Sequence, residues 1–138
     1  MTAEQLFSAC GLLALVGWIL LIVTPRNTRA TTIAGTGIPG ALSCIYLILF
    51  ASHIADAHGG FSSLAAVAEL FSNRWLLLAG WVHYLAFDLF VGTWETRDAM
   101  ARNVPRWLLV PTLLLTFMFG PVGYLAYNIT KLVSTPRS

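Results

Sequence analysis

The stretch WLLLAGWVHYLAFDLFVGTW, residues 75–94, decides how this chain folds. At about 1.5 Å of rise per residue, about 20 helical residues cross a hydrocarbon core ~30 Å thick. The run matches that length and carries only Asp88 and the ionisable His83. An acid near the middle of a span costs ~3 kcal/mol on insertion scales, so Asp88 must face protein or water rather than lipid. Three further runs lack charge: residues 6–23, residues 30–55 apart from the ionisable His53, and residues 107–130. The expectation is an all-α integral membrane four-helix bundle, a single transmembrane domain over 1–138. Its spans lie near 5–24, 33–54, 75–97 and 107–130. Between the second and third spans, SSLAAVAELF places Leu64, Val67, Ala68 and Phe71 at helical spacing. That spacing predicts a short interfacial helix lying on the membrane surface or capping the bundle.

Composition agrees. Of 138 residues, 57% are hydrophobic and 10% charged, against about a quarter charged in soluble domains. A net charge of +2 without a basic run excludes a nucleic-acid partner. On a four-span reading, Arg26, Arg29, Arg97, Arg102 and Arg106 share one side, and Arg74, Lys131 and Arg137 the other. The positive-inside rule then puts both termini outside the cytoplasm. The start, MTAEQLFSAC, has neither a basic n-region nor an Arg/Ser-rich extension, so a multi-pass protein of a bacterial plasma membrane is expected. Cys10 and Cys44 fall at different depths and read as unpaired thiols.

Several motifs are excluded by context. Gly35, Gly37 and Gly40 spell G-x-G-x-x-G but lead into a span instead of following a strand. His53, Asp56 and His58 lack a metal-binding spacing. His53 and His83 are at unequal depths for a haem, so neither metal nor cofactor is expected.

At 100° per residue, Trp81, Tyr84, Asp88 and Glu95 form one stripe of the third span. His83, Phe87, Phe90 and Trp94 form a second, aromatic one. His83 and Asp88 are ~140° apart, so they can line opposite walls of a cleft but cannot pair directly. Asp88 has two readings: an interhelical hydrogen bond to Thr112 or Thr116, or an acid that transfers protons. His83 is either a satisfied interior histidine or a proton-transfer partner. In the fourth span Thr112, Thr116, Gly120, Gly123 and Tyr127 share a face suited to close helix packing or to a flat ligand. Pro111 and Pro121 predict a kink there. Trp75, Trp94 and Trp107 mark span ends, leaving Trp18 and Trp81 for a ligand wall.

WVHYLAFDLFVGTWETRDA (81–99) and LLLTFMFGPVGYLAYNITKLV (113–133) resemble the abscisic-acid-deficient-four-like membrane family. The resemblance rests on Trp81, His83, Ala86, Asp88, Leu89 and Phe90, then on Phe119, Pro121, Gly123, Thr130 and Lys131. It implies a small four-helix membrane protein handling carotenoids, whose plant members convert an epoxide end group into an allenic alcohol. Such an isomerisation needs no redox cofactor, only an acid at the epoxide oxygen and a base for a vinyl proton. The absence of clustered histidines argues against a di-iron carotenoid hydroxylase. With that chemistry in view, the expected catalytic residues are Asp88, His83 and Tyr84. The expected substrate-binding residues are Trp81, Phe87, Thr116, Gly120, Gly123 and Tyr127, and the ligand is a carotenoid or other isoprenoid lipid. The alternative is a non-catalytic membrane protein that binds such a pigment or supports assembly of a complex.

Overall fold

The computed structural model describes residues 1–134, which form helices and connecting turns without a strand. Helix α1 (Ala3–Val23) starts on a capping box in which Thr2 and Gln5 satisfy each other's backbone amides. Helix α2 runs over Thr28–His53, earlier than the expected start near residue 33, because the Asn27 side chain caps the amides of Arg29 and Ala30. The glycine-rich segment is thus helical, with a π turn at Ile33–Gly37. Pro39 would press its ring on the carbonyl of Gly35, and the wider turn accommodates it. Gly35 also lets α2 approach the next long helix, since a Cβ there would overlap the Thr93 side chain.

The short helix expected between the second and third spans is present as α3 (Leu64–Leu70), capped by Ser63. Its anchor is Leu70, 2% exposed, whereas Leu64 of the expected stripe is 87% exposed. Helix α4 (Arg74–Ala101) follows on the Asn73 cap and packs against every other long helix. Helices α1, α2 and α4 are each long and apolar enough to cross a membrane. Their outward side chains, such as Leu12, Ile19, Leu47, Ile48, Phe87 and Phe90, are exposed and apolar. Leu21, Leu42, Val82 and Leu89 form the interior. Both cysteines are free, as expected.

The fourth apolar segment departs from expectation. It is two helices of 14 residues each, α5 (Arg106–Phe119) and α6 (Pro121–Ser134). Between them Gly120 has φ 42° and ψ −93°, a conformation that L side chains rarely adopt. Pro121 then opens α6, where its missing N–H costs nothing. The contacts along α4 give the direction of each helix. Thr116 meets Glu95 and Gly120 lies against Asp88, so α5 climbs antiparallel to α4. Afterwards Tyr124 and Tyr127 pack on Trp94, and the Tyr127 hydroxyl donates to Asp98 at 2.7 Å. Helix α6 therefore runs back down. The segment is a hairpin with its tip halfway along α4, where a kinked span over 107–130 was expected.

Two contacts fix the register of the bundle. Arg74 pairs with Glu4 at one end, and the Arg106 guanidinium binds the carbonyl of Ile22 at the other. Helices α1 and α4 are thus parallel. The N-terminus lies at the Glu4 end and the last turn of α6 at the opposite, Arg106 end, where a four-span bundle would have placed them together. Arg137 lies outside the described residues.

Candidate functional site

Because the hairpin turns back at Asp88, it covers only half of α4. The half towards Arg74 stays open as an apolar groove of about 560 Å³ between α1 and α4, bordered by Phe7, Phe71, Leu77, Gly80, Trp81 and Tyr84. Phe7 stacks on Trp81, and Trp81 on Tyr84, with ring centroids 5.3 Å apart in each pair. One turn beyond Tyr84, whose hydroxyl interacts with its carboxyl, stands Asp88. Its Oδ2 is buried with no hydrogen-bond partner among the described residues. Its other oxygen lies only 2.8 Å from where a Cβ on Gly120 would be. The hairpin tip therefore abuts the acid without satisfying it. A buried unpaired acceptor costs ~1–3 kcal/mol or more, and such a group in a native fold calls for an explanation.

A second acid lies deeper. Glu95, two turns along the same stripe, is 0% exposed and interacts electrostatically with Asp88. Its two oxygens are 2.9 and 3.0 Å from the Thr116 hydroxyl, which is also 3.0 Å from the carbonyl of Thr112. A hydroxyl has one proton to give. That proton is shared between the Glu95 carboxyl and the carbonyl of Thr112, which fixes the acid to the hairpin. Asp88 and Glu95 are thus acids on one stripe in different circumstances, one with a buried oxygen left unpaired and one locked. Glu95 falls on the predicted stripe, but no role was assigned to it there. Its spacing of seven from Asp88 was the available signal.

The other expected residues separate into groups. Trp81 and Tyr84 border the groove, and Thr116 and Gly120 form the hairpin wall beside the two acids. Gly123 packs on Thr116, where a Cβ would overlap, and Tyr127 is wholly buried with its hydroxyl committed to Asp98. Those two hold the hairpin together. The expected cleft shared by His83 and Asp88 is not formed. His83 stacks on Phe87 at 4.6 Å and packs on Tyr46 at 5.5 Å, and with Phe50 and Phe61 it borders a separate hollow beside α3. The 140° between the residues directs His83 towards α2 and Asp88 towards the hairpin. Neither Thr112 nor Thr116 bonds Asp88, since Thr112 serves the carbonyl of Leu109 and Thr116 serves Glu95. Among the described residues no cluster of metal-ligating side chains occurs.

Three helices long and apolar enough to cross a membrane, with an apolar groove along α4 that ends at Tyr84, one turn from Asp88, are the pattern of a membrane protein. The chain belongs to the ABA DEFICIENT 4-like family, whose sequence profile matches residues 5–127. Membership points to a carotenoid-related membrane protein and agrees with the resemblance carried by the two motifs. No curated protein and no solved structure matches the chain.

Proposed function

We propose that this protein is a cofactor-independent isomerase acting within the membrane on a carotenoid or related isoprenoid, converting an epoxide end group into an allenic alcohol. The observations that carry the reading are an apolar groove that ends at Tyr84 and, one turn further along α4, the Asp88 carboxyl, which interacts with Tyr84 and keeps one buried oxygen without a hydrogen-bond partner among the described residues. The ring of the substrate lies against Trp81 and Phe7, with its polyene following the groove out to lipid. Asp88 removes the vinyl proton, and the electrons of that C–H bond become the second double bond of the allene. The epoxide C–O bond breaks, and its oxygen takes the Tyr84 hydroxyl proton. Asp88 then returns the abstracted proton to Tyr84. Atoms and charge balance without a redox partner, and Tyr84 fills the place that His83 was expected to hold.

In this reading α1, α2 and α4 cross the membrane and the α5–α6 hairpin enters and leaves on one side. Non-helical backbone at membrane depth is tolerated where protein buries it, as at Gly120. Arg26, Arg29, Arg97, Arg102, Arg106 and Lys131 gather at the hairpin side and Arg74 stands at the other, which makes the hairpin side cytoplasmic. The membrane in question is a bacterial plasma membrane.

The test is conversion and pigment retention in a carotenoid-producing host. Asp88→Asn and Tyr84→Phe should each lower conversion by ~10²-fold or more, the usual scale for a lost general acid or base. His83→Gln should leave it intact. Pigment retained unchanged by the parent protein would instead identify the groove as a binding site without chemistry, a reading that its mostly apolar wall also supports.

A further inference from the structure

At the opposite end from the apolar groove, the turns after α1 and α4 enclose an open basin of about 950 Å³. Arg26, Arg97 and Arg106 border it, and no carboxylate does. Asp98, one residue from Arg97, faces away towards Arg102, Lys131 and Tyr127. Arg97 and Arg106 are held by backbone carbonyls, the first by Thr31 at 3.5 Å and the second by Ile22 and Val23. Each guanidinium has five N–H donors, so both keep free donors after those contacts while losing the freedom to swing away. Asn27 and Thr28, at the start of the long helix α2, add the positive end of a helix dipole to the same wall. Concentrated positive charge with fixed forks and no acid suits a phosphate-bearing anion.

We infer that this basin is a binding site for a phosphate-bearing anion, seated as the head group of an anionic membrane lipid. The lipid source follows from position. The basin lies at the shared end of α1 and α4, and the exposed Trp107 beside it suits a membrane–water interface. Basic pockets between helices at that level recognise such head groups. The inference needs only that the long helices cross a membrane, and it is independent of any reaction at Asp88.

The experiment is native mass spectrometry of the full chain in mild detergent, titrated with dioleoylphosphatidylglycerol or dioleoylphosphatidylcholine. One phosphatidylglycerol should be retained in preference to phosphatidylcholine. Arg26→Gln removes a guanidinium with no helix contact to lose and should weaken retention about fivefold, while Arg29→Gln, outside the basin, should not. Equal retention of the two lipids, or equal weakening by both substitutions, would overturn the site. Displacement of the lipid by millimolar inorganic phosphate would assign the basin to a soluble phosphate compound and overturn the lipid source.

Discussion

Thr116→Val removes one hydroxyl and nearly nothing else, so it isolates the lock on Glu95. Both residues are 0% exposed, and the hydroxyl is the only side-chain partner of the Glu95 carboxyl among the described residues. Leaving a buried polar group unsatisfied costs ~1–3 kcal/mol, more where it carries charge. Valine fills about the same volume, so little cavity penalty adds to this. The expected loss is therefore ~2–3 kcal/mol. Glu95→Leu on the Thr116→Val background should recover most of it, because replacing both partners by apolar groups is nearly neutral. Unfolding of parent, single and double variants by sodium dodecyl sulfate in mixed micelles, followed by far-ultraviolet circular dichroism, gives the cycle. A coupling of ~2 kcal/mol is expected for groups in one network. Thr116→Val within ~0.5 kcal/mol of the parent, with an additive double variant, would show that the acid does not depend on this hydroxyl.

Three further outcomes follow from the hairpin. Gly120→Ala should cost ~1–3 kcal/mol through its backbone conformation and also displace Asp88, whose Oδ1 lies 2.8 Å from the new Cβ; a thermal scan and a conversion assay read the two effects separately. Asp98→Asn removes the charge that faces Arg102 at 2.9 Å and Lys131 at 3.7 Å. It should lower stability by only ~1 kcal/mol at this partly exposed site, with faster hydrogen exchange confined to α6. Reporters fused after Arg29 and after Ser134 should both report the cytoplasm, and an outer location for the second would restore a fourth span.

Most of the fold was legible because apolar length and the position of charges are one-dimensional quantities. Residues 75–94 contain a span whatever surrounds them, and Thr2 and Asn73 are caps of the preferred type. The hairpin was not legible for the same reason. Residues 107–130 have the length and apolarity of a span, and Gly120–Pro121 reads equally as a kink or a reversal. What decides between them is that Tyr127 reaches Asp98 and Gly123 packs on Thr116, pairings that no local signal announces. The helical wheel correctly separated His83 from Asp88 by angle. It could not say that the wall facing His83 would be Tyr46 on α2 instead of a shared cleft. Glu95 was visible on its stripe, but its burial was not, because that depends on a hairpin returning past it.

One feature of the backbone thus accounts for two opposite environments on α4. Where the hairpin is present, Glu95 and Thr116 are sealed together and Tyr127 is immobilised against Asp98. Where it is absent, Trp81 and Tyr84 are only partly covered and border the groove. Asp88 stands at the boundary, partly buried beside the tip, and one of its oxygens finds no partner there. A full-length fourth helix would have covered the groove and could have supplied Asp88 with a partner, making it a simple interhelical lock. Halving that helix leaves the acid partly buried and close to an apolar opening. The proposed reaction needs that combination, because its substrate would never leave the lipid.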